Sequence, residues 1–215
     1  MKIVCFLYMK ILSVADIHGS QYRLNILLDN IKTYSPDLAI ICGDITQFGP
    51  GEIAKNFLNQ IPVETLAVPG NIDTADVGCA IQESNAENIH LKKVVKHEIS
   101  FVGMGGEAIN LTNVIKENGQ LKSVSEVIDE HTVLVTHVPP YNLQDTVYLG
   151  RHIGSKPLLE LIDTSHPRLV LCGHVHEDPG MTKYHDTIIV NCSVGKRTEG
   201  ALIEIDDSIT VTILE

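Results

Sequence analysis

The sequence has no tryptophan, no low-complexity tract and no stretch that reads as a linker. Those absences exclude a disordered tail or a string of modules. With 215 residues, 44% of them hydrophobic and 20% charged, a single domain spanning residues 1–215 is expected. Positive charge is also scarce, with 16 Lys and Arg against 27 Asp and Glu and a net charge of -11. A surface of that sign repels polyanions, and no basic or aromatic stripe is present. Duplex nucleic acid is therefore a poor partner, and the nuclease reading is weakened. A small phosphorylated substrate stays compatible, because bound metal ions would offset the charge locally.

No membrane segment is expected. The N-terminal apolar stretch MKIVCFLYMKILSVA is interrupted by Lys10 and reaches DIHGS without a small-residue cleavage site, and it is too short to span a bilayer. A second Met-Lys pair, Met9 and Lys10, begins a run that completes a first strand alone, so residues 1–8 read as an extension or a misassigned start. Cys5, Cys42, Cys79, Cys172 and Cys192 are odd in number, widely spaced and mostly set in apolar runs. They read as reduced core residues of a soluble cytoplasmic protein. Oligomeric state stays open, a homo-oligomer included.

Short apolar runs ending in Gly, Asn, Asp or His recur along the chain and predict buried strands. They cover Ile11–Ala15, Leu38–Cys42, Glu64–Val68, Ile99–Gly103, Thr132–Thr136, Leu169–Cys172, Ile188–Asn191 and Ala201–Ile205, with Ile209–Leu214 alternating at the end. Between them, Tyr22, Ile26, Leu27 and Ile31 recur at helical steps, as do Ile53, Phe57, Leu58 and Ile61. Val124, Val127 and Ile128 do so weakly, and Leu158, Leu159 and Ile162 do so before Leu169. Strand and helix alternate in the first half and strands dominate the last forty residues, which predicts a layered α/β sandwich. Gly105–Gln120 and Tyr141–Ser155 fit no period, and the substrate pocket is expected beside them.

The chemistry gathers at the strand ends. Asp16-Ile17-His18 follows the first strand, and alternate residues of an extended segment project to one side. Alone, that pair reads as an Asp capping a helix near Gly19, with a surface His beside it. The second strand ends in Gly43-Asp44 and the third in Gly70-Asn71-Ile72-Asp73. His137 follows VLVT, and Gly173-His174-Val175-His176 follows LVLC. Turn formation explains one Gly-Asp or Gly-Asn, but not strand after strand ending in Asp, Asn or His. Carboxylates, an amide and imidazoles together suit borderline transition metals (manganese, iron, nickel, cobalt or zinc) better than calcium or magnesium. Seven ligands are too many for one ion. A carboxylate can bridge two, and metals about 3.5 to 4 Å apart clamp the attacking and leaving oxygens of an in-line displacement.

Read together, DIH, GD, GNID, TH and GHVH resemble, in order, the five signature blocks of the calcineurin-like metallophosphoesterase superfamily, from Asp16 to His176. The segments THVPPYNLQD, GRHIGSKPL and HPRLVLCGHVHE look like a subgroup of small single-domain archaeal and bacterial members. The resemblance implies a four-layer α/β/β/α sandwich of two mixed β-sheets flanked by helices. It implies two divalent transition metal ions, with Asp16, His18, Asp44 and His176 holding one. Asp44, Asn71, His137 and His174 would hold the other, Asp44 being the bridge.

One position departs from the family pattern. Many members carry GNHD or GNHE, and here Ile72 replaces the His. Ile72 can neither donate a proton nor bond phosphate, and such help is typically worth about 10² to 10⁴ in rate. Relatives with an apolar or Cys residue there tend toward phosphodiesters. The expected reaction is therefore hydrolysis of a small phosphodiester by water activated between two metals, with Asn71 among the charge-stabilising groups. His152 reads either as a replacement acid or phosphate contact or as a surface imidazole, Arg151 as a further candidate for charge neutralisation. Asp73 reads as support for Asn71 or for the turn. The rival readings are a phosphomonoesterase and a non-catalytic scaffold that kept the fold.

Overall fold

Runs of four to six Val, Ile and Leu residues cannot bury a face as isolated helices, but as strands they expose two apolar faces that must both be covered. The computed structural model describes residues 8–106, 114–117 and 120–215, without the side chains of 114–117 and 120. In chain order it contains β1 (Met9–Val14), α1 (Gln21–Tyr34), β2 (Leu38–Cys42), α2 (Gly51–Leu58), β3 (Glu64–Val68), α3 (Ala75–Gln82), β4 (Glu87–Asn88), β5 (Lys92–Lys96) and β6 (Ile99–Met104). Then follow β7 (Val114–Glu117), β8 (Gln120–Ser123), α4 (Val124–Val127), β9 (Thr132–Thr136), β10 (Thr146–Val147), β11 (Arg151–His152), α5 (Lys156–Ser165), β12 (Leu169–Cys172), β13 (Gly180–Tyr184), β14 (Thr187–Asn191), β15 (Gly200–Ile205) and β16 (Ile209–Leu214).

Two mixed sheets carry the fold, ordered β16-β15-β1-β2-β3-β4 and β13-β14-β12-β9-β6-β5-β7-β8. The period of two sorts side chains between layers. In β1, Leu12 and Val14 join the cluster that also holds Leu24 and Leu27 of α1 and Phe57 and Leu58 of α2. Met9 and Ile11 point the other way, into the core shared with Val133, Val135, Leu169 and Leu171 of the second sheet. Leu134 and Val170 face a third cluster with Leu158, Leu161 and Ile162 of α5. Three apolar layers between four structural layers make this an α/β/β/α sandwich, each fully buried Leu or Ile contributing about 1.5–3 kcal/mol.

The helices correct some expectations. In α1 the buried stripe is Leu24, Leu27 and Ile31, whereas Tyr22 is 73% exposed. Ser20 is the cap, its hydroxyl accepting from Arg23 N, so Asp16 does not cap this helix. In α2, Ala54, Phe57 and Leu58 are buried, but Ile53 is exposed and Ile61 lies past the helix end. Helix α3, with Gly78 and Cys79 inside it, had no recognisable apolar period. Cys42, Cys172 and Cys192 are buried free thiols, but Cys79 is exposed, contrary to the reading of the cysteines as core residues. Cys5 lies outside the described residues.

Of the segment expected to be irregular before Gln120, residues 107–113 and 118–119 lie outside the description, while 114–117 form β7, paired with β8. Tyr141–Ser155 contains a small hairpin, β10 with β11, and Leu149 at its tip has φ 65°. Among the described residues no helix is long and apolar enough to cross a membrane.

Candidate metal centre

Parallel pairing aligns the carboxyl ends of β1, β2 and β3 in one sheet and of β9, β12 and β14 in the other. The residues just beyond those ends therefore meet at one edge of the sandwich. Four of them, Asp16, His18, Asp44 and His174, hold left-handed backbones with φ of 64°, 53°, 52° and 71°. Non-glycine residues visit that region at a cost of about 1–3 kcal/mol each and persist there only where the surroundings over-determine them, a pattern typical of ligand sites. The close approach of strand ends also requires glycine. A Cβ on Gly70 would collide with Asp44 Oδ1 and N, and one on Gly173 with Ala15 and Asp16.

The side chains form two nests. In one, His176 Nε2 lies 3.2 Å from both Asp16 Oδ1 and His18 Nε2, and His18 Nε2 is 3.8 Å from Asp16 Oδ1. In the other, Asn71 Oδ1 is 2.8 Å from His137 Nε2 and 3.2 Å from His174 Nδ1. Asp44 stands between them, its Oδ2 3.4 Å from His137 Nε2 and 3.9 Å from His18 Nε2. All seven sequence-derived candidates thus come together.

Several features fit cations. Asp16 Oδ1 is buried without a hydrogen bond of acceptable geometry, and such an orphaned acceptor is costly unless something positive meets it. His137 Nδ1 is 2.8 Å from the Cys42 carbonyl and donates to it, which leaves Nε2 bare and pointing into the nest. The Nε2 atoms of His18 and His176 stand 3.2 Å apart, where two unprotonated ring nitrogens could be shared by one cation. The donor set suits borderline divalent ions.

The electrostatics follow from burial and pairing. Burial alone would push the Asp16 carboxyl up, but His176, then His137 and the Ser193 hydroxyl outweigh it and hold it at about 2. Burial pushes His18 and His174 down, His137 adding to the effect on His174. Pairing with the Asp16 carboxylate raises His176. Burial lowers His137, yet the nearby Asp44 carboxylate more than offsets it, so the net shift is upward.

Asp73 touches neither nest through its carboxylate. Its oxygens accept from Ile45 N, Thr46 N, Thr46 Oγ1 and Gly70 N at 2.8–3.0 Å, tying the loop after Asp44 to the loop that carries Asn71. Ile72 presents its backbone N–H to Asp44 Oδ1 at 3.2 Å. His152 sits on β11 with Nδ1 2.6 Å from buried Asp145 Oδ1 and makes no hydrogen bond to the seven candidates; Arg151 beside it is exposed.

Sequence reasoning passed over Ser193, Asn191 and Arg23. Ser193 Oγ donates to Asp16 Oδ2 at 2.6 Å, and Asn191 anchors the loop carrying His174 and His176 through the Val175 and Asp178 carbonyls. The Arg23 guanidinium donates to the Asp16 carbonyl. The strand-end rule applied to β14 would have found Asn191 and Ser193; nothing in the sequence singles out Arg23. A cavity of about 610 Å³ touches the site at His176 and is lined by Arg23, Glu177, Lys196 and Arg197 rather than by the Tyr141–Ser155 segment.

Comparison with known proteins agrees with this architecture. Residues 9–178 match the calcineurin-like phosphoesterase family model, and the chain belongs to that family of metal-dependent phosphoesterases. Over 200 residues it is 34% identical to the uncharacterized protein MJ1162 of Methanocaldococcus jannaschii, covering 86% of this chain and 88% of that one. It is 29% identical over 175 residues to a probable glycerophosphodiester phosphodiesterase, GpdQ, of Arcobacter nitrofigilis, covering 75% of this chain and 64% of that one. The solved structure of TT1561 from Thermus thermophilus shares the fold with a TM-score of 0.66 at 16% identity, covering 96% of this chain and 99% of that one.

Proposed function

We propose that the chain hydrolyses a small phosphodiester, with Asp16, His18, Asp44 and His176 holding one divalent ion and Asp44, Asn71, His137 and His174 a second. The position of Asp44 carries the reading, because its carboxylate stands within 4 Å of a ring nitrogen in each nest, His18 Nε2 at 3.9 Å and His137 Nε2 at 3.4 Å. Two bound divalent ions would lower the pKa of water toward neutrality and draw charge from the phosphoryl oxygens.

The protein's own contribution is placement. Asp44 sets the spacing of the two nests, and Asp73 locks the loops that carry Asp44 and Asn71 by bonding backbone of both. Asn71 turns Oδ1 toward His137 Nε2 and His174 Nδ1, the side on which the second ion would be held, which leaves its amide N–H groups to donate to a phosphoryl oxygen as charge gathers there. Water oxygen bonds to phosphorus and releases a proton to solvent as the ester P–O bond breaks in line with it, and the departing alkoxide takes a proton in exchange. Ile72 cannot supply that proton. His152, its Nδ1 held by Asp145, keeps Nε2 as the atom available for it, and the same imidazole can alternatively contact phosphate.

The preference for diesters rests on Ile72, and the similarity to a probable glycerophosphodiester phosphodiesterase supports it. In a scaffold that had lost catalysis, nothing would keep seven side chains converged or four of them strained. The test is a comparison of Mn2+-, Ni2+- and Zn2+-loaded protein on bis-p-nitrophenyl phosphate and p-nitrophenyl phosphate. The diester should be the better substrate by kcat/KM and a chelator should abolish turnover. Preference for the monoester sinks the diester assignment, and undiminished turnover after metal removal sinks the metal-dependent one.

A further inference from the structure

Beside the metal centre lies a cavity whose charge runs against the rest of the molecule. The chain carries -11 overall, yet Arg23, Lys196 and Arg197 line this space of about 610 Å³ against one acid, Glu177. Such a volume is ample for a small-molecule moiety. The cavity is continuous with the centre, because His176 lines it and also stands 3.2 Å from Asp16 Oδ1.

Arg23 and the turn that carries Lys196 and Arg197 are held in place by the same residues that hold the centre. Arg23 is fixed by donating to the Asp16 carbonyl. The turn carrying Lys196 and Arg197 closes through Gly195 N to the Thr198 carbonyl at 2.9 Å, and Thr198 Oγ1 donates to the Ser193 carbonyl at 2.8 Å. Ser193 in turn bonds Asp16 Oδ2, and Val194 N bonds the Ala15 carbonyl. Lys196 and Arg197 are exposed and make no ion pair among the described residues, so their charge is available to a ligand. A guanidinium matches the geometry of phosphate or carboxylate through paired N–H donors, and a lysine beside it adds a point charge.

We infer that this cavity is a second-anion subsite: the substrate is a phosphodiester whose non-reacting arm carries a further phosphate or carboxylate, bound by Arg23, Lys196 and Arg197. The inference rests on the phosphodiesterase reading for the identity of the scissile group, whereas anion binding by the cavity can be measured without turnover.

Two experiments test it. Inorganic phosphate and, separately, succinate are titrated into metal-free protein, followed by amide shifts in two-dimensional NMR. Saturable shifts at Gly195–Thr198, lost in the Lys196→Ala/Arg197→Ala variant, are expected; the tighter anion then assigns phosphate or carboxylate. No saturable shift there, or shifts unchanged in the variant, overturns the subsite. In the second, metal-loaded protein is given p-nitrophenyl ethyl phosphate and its 2-phosphoethyl and 2-carboxyethyl counterparts. At least one charged arm should raise kcat/KM about tenfold or more over ethyl, and the double variant should bring that ratio to within about twofold. An equal kcat/KM for all three, or a ratio the variant leaves intact, overturns the inference. Anion binding without hydrolysis of any diester would leave the subsite standing and remove the phosphodiesterase reading instead.

Discussion

Asp44 Oδ2 lies 3.4 Å from His137 Nε2 although 93 positions separate the two residues in sequence, on strands of different sheets. The contact joins β2 to β9 across the sandwich at the edge where both strands end. It is the meeting point of the two halves of the proposed metal centre.

Asp44→Asn should therefore remove the bridge while keeping the side chain's shape. Loss of an outer-shell partner typically costs about 10- to 100-fold. Loss of the bridging ligand itself should exceed about 10²-fold in kcat/KM, with at least one metal missing by elemental analysis. Retention of both metals with full turnover would refute the assignment.

Ile72→His restores a proton donor at the third strand end. The monoester to diester ratio of kcat/KM should rise by about tenfold or more, part of the roughly 10² to 10⁴ that fully developed general-acid help can supply. An unchanged ratio would mean that some other feature sets the preference.

His152→Asn tests the proposed proton donor on β11. Turnover of a diester with a poor, alkyl leaving group should fall by about 10²-fold, while bis-p-nitrophenyl phosphate, whose leaving group needs no proton, should change little. Equal losses on both substrates would assign His152 to phosphate contact or to folding.

Metal-free protein should lose stability in acid because of Asp16. Its folded value of about 2 lies below the unfolded carboxylate value of about 3.9, so its contribution is present above about pH 4 and is lost as the pH falls toward 2. That difference is on the order of 2 kcal/mol. Denaturant unfolding at pH 5 and pH 3 should show a smaller drop for Asp16→Asn than for the parent; equal drops would contradict the pairing with His176, His137 and Ser193.

Much of this was legible in the residues. Strands β2, β3, β9 and β12 lie within the boundaries their apolar runs indicate, because a strand buried on both faces shows where burial ends, and β16 was legible from its alternation. Strands β5 and β13 were missed, since a half-exposed strand carries charges and shows no apolar run. In α1 the stripe was misplaced toward Tyr22 because a tyrosine tolerates either burial or solvent.

The sequence by itself determined which chemical groups stand at the strand ends, because apolar runs stop where burial stops and the polar residue that follows is visible in the linear order. Only the tertiary structure decided that Asp44 faces both nests, that Ser193 and Arg23 brace Asp16, and that Lys196 and Arg197 flank the centre. Those relations depend on which strands pair and on how two sheets stack. Pairing is a choice among many apolar surfaces of nearly equal hydrophobicity, and no local pattern encodes it.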